Sequence, residues 1–457
     1  MLPNPNPEPF WKNDTFILIV LTLAAFLLRM YYINNTEIIS PIRADAAQYV
    51  SYGYNLAHFG TFSAESSPTP TPDSFRSPGF PLLLAAAFTV GGEARWYPWA
   101  LFLQSLLSCL LVPLAYLLSR LFLPRWGVFM TVVMVALSPH LIAMNSYLLT
   151  ETQFSLTILA ALTSYLYAYR QESRMLFILA GLLFGFSYLT NEIGLFIPLI
   201  LGLVTYFMHR KSPLAPAPSR VMRYLLTGAL VFLLFPAGWM LRNTLNVPPG
   251  SPDGSSRALA TLSHGTYPNF IYKDPAFKYY PYRDDPEQPE FSSSLQNFGK
   301  IFWRRFQERP LRYISWYLLE KPYYLWSWEM TQGQGDVYVY PVSESLYTKS
   351  KIADYSRLLM KILHYCWMLL CLLGFFALGQ RLRQGSKELP IILVFSVLIY
   401  ITVVYTIFAP WTRYAVPFRP LFYGTGTWTL WLFLSRYSIG TVALVDEPER
   451  FGPNQNI

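Results

Sequence analysis

The sequence predicts an all-α polytopic membrane protein, and three observations carry that prediction. Hydrophobic residues make up 53% of its 457 residues and charged residues 13%, against the ~25% charge usual in soluble domains. The apolar residues fall into about ten runs, the first of them long enough to cross a ~30 Å hydrocarbon core as a helix. Basic residues gather in alternate connectors between those runs. The formal charge of +9 would suit a nucleic-acid partner, but this distribution assigns it to the membrane connectors, and no nucleic acid is expected. Cys109, Cys366 and Cys371 all lie in apolar runs and imply no disulfide framework.

The elements follow in order. The first span is Thr15–Ile33, with only Lys12 as a preceding cation and no A-x-A pattern after it, so it reads as a retained span. The second is Trp96–Leu121 and the third Gly127–Met144. Thr152–Tyr169, Met175–Leu189 and Ile193–Met208 follow, the middle one diluted by Gly181, Gly185 and Ser187. Tyr224–Leu241 comes after a basic, Pro-rich loop, and the last three spans are Leu358–Leu378, Leu389–Ala409 and Ala415–Leu434. Four units result: 1–241 with an outer segment at 34–95, a second outer segment at 242–357, the spans of 358–434, and a cytoplasmic tail at 435–457.

Parity supports this order. With the N-terminus inside, the inner connectors carry Arg120/Arg125, Arg170/Arg174, His209-Arg210-Lys211 with Arg220/Arg223, Arg381/Arg383/Lys387 and Arg436. The outer side receives the two long segments and the short turns at Glu151, Asn191-Glu192 and Trp411–Arg413. One misplaced span would scramble this pattern.

The outer segments are built for a membrane surface. Ala46–Phe59 places Tyr49, Tyr52, Leu56 and Phe59 on one helical face. Pro68, Pro70, Pro72 and Pro78 then interrupt regular structure. Phe80–Val90 is apolar but too short to span, which predicts a surface-lying or re-entrant helix. Leu295–Phe306 and Pro310–Trp328 mix cations and aromatics at helical spacing, as interfacial helices do.

Several short motifs recur in one order: Asp45-x-x-x-Tyr49, Arg76-Ser77-Pro78-Gly79-Phe80-Pro81, Leu149-Thr150-Glu151-Thr152, Gly181-x-x-x-Gly185 leading to Leu189-Thr190, Arg242-Asn243, and Arg413-Tyr414-x-x-Pro417. In that order the chain resembles glycosyltransferase family 39, which includes protein O-mannosyltransferases and lipid A aminoarabinose transferases. The resemblance runs from about Thr15 to Leu434. It implies a GT-C fold with about ten or eleven membrane helices. It also implies a polyprenyl-phosphate sugar donor and a hydroxyl acceptor on a lipid or envelope glycan, with inversion at the anomeric carbon. A protein acceptor is the alternative within the family. The departing phosphate is already anionic, so no cofactor is required; a divalent metal stays unassigned.

Such chemistry needs a base near the acceptor and cations near the phosphate. Asp45, just beyond the first span, matches the family's first-loop acid and is the candidate general base. The same residue also suits an N-cap for a helix starting at Ala46. Glu151 is the second catalytic candidate, placed to position the acceptor or to shift the Asp45 pKa; as a first-turn acid it also suits the helix dipole. Tyr49, Arg76, Arg242, Arg413 and Tyr414 are the candidates for holding the donor phosphate. For Arg76 the plain alternative is a lipid head group. For Arg242 and Arg413 it is snorkelling at helix ends, and for Tyr49 an interfacial belt. Gln48 and Asn191-Glu192 depart from the residues common in relatives. His264 lacks a second His or Cys at ligand spacing.

A transporter of lipid or sugar is the alternative from another class. It would place ionisable groups mid-membrane and show repeats, whereas here the charges gather at span ends and no repeat is evident. The expected location is a plasma (inner) membrane, with the site facing the periplasm or cell exterior.

Overall fold

The computed structural model describes residues 12–210, 218–385 and 388–443. Lys211, Lys387, the side chain of Arg436 and the tail beyond residue 443 lie outside what is described. The predicted spans fall mainly on helix, the third on two helices, and among the described residues six helices are long and apolar enough to cross a membrane, or seven if a bent pair is one span.

The first span is α1 (Lys12–Asn34). It carries a charge that the span pattern gives no reason for. Arg29 is fully buried and bonds to Ser108 Oγ at 2.7 Å and to the Ala25 and Ala136 carbonyls at 3.0 and 3.2 Å. A buried cation inside a span must be met by polar groups, and here the carbonyls at the end of another helix meet it.

Beyond α1, strand β1 (Glu37–Ile38) leads into α2 (Ala44–Phe59), which ends on Gly60 at φ 64°. α2 begins two residues before the expected Ala46. Arg43 is its N-cap, and no side chain caps it, so the capping role available to Asp45 is not used. α3 (Gly79–Cys109) breaks at Gly92, where φ is 59°. The break separates the short apolar arm from the second span, and Phe88 stacks on Trp96 across it at 4.4 Å. The span resumes as α4 (Leu111–Ser119).

The third span is two helices, α5 (Arg125–Leu137) and α6 (Pro139–Ala143), bent by 40°. Pro139 explains the bend, since it cannot donate to the ladder and disfavours helix at the residue before it. α7 (Glu151–Arg170), α8 (Arg174–Thr190), α9 (Ile197–Arg210) and α10 (Pro218–Asn246) complete the first half. The glycines of α8 have a use there. A Cβ on Gly181 would collide with the Gly228 carbonyl of α10, so small residues let two backbones touch.

The second outer segment holds α11 (Gly254–His264), α12 (Gln288–Phe291), α13 (Leu295–Glu308), α14 (Pro310–Ser315) and α15 (Lys321–Trp326). Strand β2 (Val342–Glu344) and α16 (Leu346–Lys349) close it. β2 pairs antiparallel with β1 and so ties the second outer segment to the first. α17 (Lys351–Arg383), α18 (Leu389–Ile407) and α19 (Arg419–Ala443) end the described chain. The buried core lies among α3, α4, α5, α7, α18 and α19 and includes Val112, Val132, Phe154, Ile401 and Trp428.

The contacts respect the parity of the sequence. Segments assigned to the outer side meet one another: Ser77 with Glu192, Arg242 with the Asp73 carbonyl, and Arg413 with Asp45. Inner connectors do likewise: Asp14 with Arg125, Tyr169 with His209, and Glu172 with Arg220.

Candidate active site

Three of the sequence motifs pack into one junction. Gln153, two residues past Glu151, donates to the Gly79 carbonyl at 2.9 Å and to Thr190 Oγ1 at 3.0 Å. Gly79 sits so close to Leu189-Thr190 that any side chain there would clash. The Arg76–Pro81 turn, the start of α7 and the end of α8 are therefore held in a fixed relation, and the side chains leading out of them point into a shared space.

That space is a cavity of about 330 Å³ lined by Asp45, Tyr49, Arg76, Glu151, Arg257 and Arg413, among others. Arg76 Nη2 donates to Asp45 Oδ1 at 2.6 Å, and Arg413 Nη2 donates to Asp45 Oδ2. Gln48 Oε1 accepts from Arg76 Nε at 2.8 Å. Arg76 also lies 5.0 Å from the centre of the Tyr49 ring, a cation–π distance. Glu151 Oε1 is 3.7 Å from Arg413 Nε, too far for a hydrogen bond, and that buried Nε–H has no partner. Across the cavity, Arg257 of α11 donates to Glu192 Oε2 at 2.7 Å and to the Phe75 carbonyl at 3.0 Å. Tyr414 stacks on Tyr405 at 4.7 Å and lies under Arg413.

The charges set one another's protonation. Burial would raise the Asp45 carboxyl, but the guanidinium of Arg413, and then that of Arg76, outweighs it and holds the carboxyl far below its usual range. Burial opposes the charge of Arg413 as well, and Asp45 more than compensates. The result is an ionised triad of one carboxylate between two guanidiniums.

Six of the seven candidate residues meet at this cavity: Asp45, Tyr49, Arg76, Glu151, Arg413 and Tyr414. Arg242 does not line it. Its guanidinium donates to the Asp73 carbonyl at 2.7 Å and to the Phe62 carbonyl at 3.2 Å, so it fastens the Pro-rich loop to the end of α10. Arg257 takes the third cationic place. Nothing in its local sequence marks it, because the second outer segment is rich in arginine and lysine throughout. Glu192, noted only as a departure from relatives, is the partner of both Arg257 and Ser77.

A metal does not fit the side chains that are present. Among the described residues no three His, Cys, Asp or Glu side chains converge as a ligand set, and both Asp45 oxygens face guanidiniums. His264 accounts for itself otherwise, with Nε2 3.1 Å from the Tyr279 carbonyl and its ring against Trp411.

With this geometry in hand, comparisons place the chain. The archaeal oligosaccharyltransferase AglB from Archaeoglobus fulgidus, in complex with an inhibitory peptide and a dolichol-phosphate, superposes with a TM-score of 0.51 at 13% identity, over 97% of this chain and 53% of that one. ArnT from Cupriavidus metallidurans in the apo state superposes with a TM-score of 0.51 at 12% identity, over 95% of this chain and 64% of that one. The chain has the GT-C fold. Residues 90–245 match the family model described as dolichyl-phosphate-mannose-protein mannosyltransferase, so the resemblance to glycosyltransferase family 39 holds over that segment. No curated protein matches the sequence. This GT-C chain spans about half the length of the archaeal protein and under two thirds of ArnT. The segment matched to the family contains Glu151 and Glu192 but not Asp45, Arg76, Arg257 or Arg413.

Proposed function

We propose that this protein is a membrane glycosyltransferase that moves a sugar from a polyprenyl phosphate to a hydroxyl on a lipid or envelope glycan at the outer face of the membrane. The observation that carries the reading is the cavity itself: three guanidiniums and three carboxylates converge where the outer ends of the spans meet. Fixed cations facing a preformed space suit a phosphate whose charge grows as a bond breaks.

In this reading the donor phosphate lies against Arg76, Arg257 and Arg413. Asp45 takes the proton of the acceptor hydroxyl, and the resulting oxygen attacks the anomeric carbon from the face opposite the phosphate. The bond from the anomeric carbon to the phosphate oxygen breaks, and its electron pair stays on that oxygen as a second negative charge. The guanidiniums stabilise that charge as it forms. Attack from the opposite face gives inversion.

A protein hydroxyl as acceptor is the second reading, favoured by the match of residues 90–245 to a protein mannosyltransferase family. The test is transfer by the purified protein in lipid from radiolabelled polyprenyl-phosphate-linked sugars to a glycolipid fraction and, in parallel, to Ser/Thr peptides. Label in the glycolipid supports the first acceptor class and label in peptide the second. Vesicle uptake of free sugar with no transfer would replace both readings by transport.

A further inference from the structure

We infer that Asp45 is held latched between two arginines, and that the donor's own phosphate opens the latch. The inference rests on the glycosyltransferase reading above and concerns how that site orders its substrates.

A general base must have proton affinity for the hydroxyl it deprotonates. Each oxygen of Asp45 accepts a charge-assisted bond, Oδ1 from Arg76 and Oδ2 from Arg413. Those guanidiniums also remove the proton affinity a base needs. The other polar groups around it do not relieve this. Glu151 stands off Arg413 at 3.7 Å, Tyr49 lies under Arg76, and Arg257 is held by Glu192.

A sugar phosphodiester entering the cavity brings an anion that competes with Asp45 for the same N–H groups. Arg413 is equipped to turn, because its buried Nε–H has no partner to lose. As the arginines pass to the phosphate, Asp45 regains its proton affinity. The acceptor can then be deprotonated only when the donor is in place.

The same exchange runs backward at the end of the reaction. After transfer the phosphate monoester carries one more negative charge, and Asp45 carries the acceptor's proton and is neutral. A neutral carboxyl does not compete for guanidinium, so the product phosphate is held. Loss of that proton to water recharges Asp45, which recaptures Arg76 and Arg413 and expels the polyprenyl phosphate. The order is donor first, acceptor second, polyprenyl phosphate last.

Binding of farnesyl phosphate, with farnesol as the uncharged control, tests the latch on purified protein in detergent. Asp45→Asn removes the competing charge, so it should bind farnesyl phosphate about tenfold tighter than wild type or more, since one arginine loses its acceptor and the other keeps only a neutral amide oxygen. Farnesol should bind both equally. Equal or weaker phosphate binding by a folded Asp45→Asn overturns the latch. A second measurement needs no variant. In wild-type initial-rate kinetics, farnesyl phosphate should compete with the donor and not with the acceptor, whereas productive binding of acceptor before donor overturns the order. If wild type does not prefer farnesyl phosphate to farnesol, the glycosyltransferase reading falls and the latch with it. A preference without tightening in Asp45→Asn removes the latch alone.

Discussion

Two of the arginine–carboxylate clusters, one in the second outer segment and one at the cavity, differ in what surrounds them. In the second outer segment, Arg305 donates to Asp285 at 2.8 Å and to Glu287 at 2.7 Å. Its guanidinium is enclosed by the rings of Phe291, Tyr272 and Tyr267 at 4.9–5.5 Å. The Asp285 side chain has no exposed surface, and Tyr267 donates a further bond to it. In the cavity, Asp45 remains 27% exposed and Arg413 17%, with one N–H unmatched. The first cluster is closed by aromatic walls, and its bonds are spent on holding α12 and α13 together. The second has the same chemistry but opens onto empty space. Burial and pairing alone therefore do not separate the two clusters; pairing beside a cavity, with an unmet donor, is what the proposed role of the second rests on.

Substitutions can break or sharpen that contrast, the largest expected effect first. Asp45→Asn keeps the size of the side chain but cannot take a proton, so sugar transfer should fall about 10²–10⁴-fold while the protein stays folded. Transfer rates and thermal unfolding on one preparation check this, and transfer within a few-fold of wild type would remove the base assignment.

Arg305→Met should do the opposite. It leaves Asp285 buried without its counter-charge, which costs about 3–5 kcal/mol. Unfolding should move to markedly lower temperature, with turnover per folded molecule little changed. If turnover fell and stability held, the two clusters would have to exchange roles.

Single Ala variants of Arg76, Arg257 and Arg413 should each weaken donor use about ten- to a hundredfold, the weight of a charge-assisted bond. Arg242→Ala should instead loosen the Pro-rich loop, raising its proteolysis while leaving donor affinity nearly unchanged. Equal donor defects in Arg242→Ala and Arg413→Ala would contradict the placement of Arg242 outside the cavity.

The smallest effect concerns pH. Burial lowers His264 to about 4, against the pull of its bond to the Tyr279 carbonyl. Its unfolded value is ~6.5, so between the two the unfolded chain binds the extra proton. Stability from neutral His264 is thus full above ~6.5 and is lost as pH falls toward about 4. His264→Gln can still donate to that carbonyl and cannot titrate, so its unfolding temperature should vary less over this window. An unchanged pH profile would show that His264 is not the group responsible.

Much of this molecule follows from sequence alone, because the bilayer is a demanding solvent. Backbone polar groups in lipid must be satisfied within a helix, so each apolar run becomes a helix wherever it packs. Alternating positive charge then assigns the sides. The family resemblance carried Asp45, Glu151 and Arg76, and position at the outer end of a span marked Arg242 and Arg413 alike, though only Arg413 lines the cavity. Only tertiary structure decided the rest. Arg257 and Arg242 look alike as outer arginines and both hold a carbonyl, and what separates them is that Arg257 alone borders the cavity. The pairing of Glu37–Ile38 with Val342–Glu344 joins segments some 300 residues apart, and its two short strands leave no local pattern. Arg29 sits in an apolar run as if misplaced until the end of α5 supplies its carbonyls. In each case the deciding partner is distant in sequence, and a charge or a strand edge takes its meaning from the group it meets.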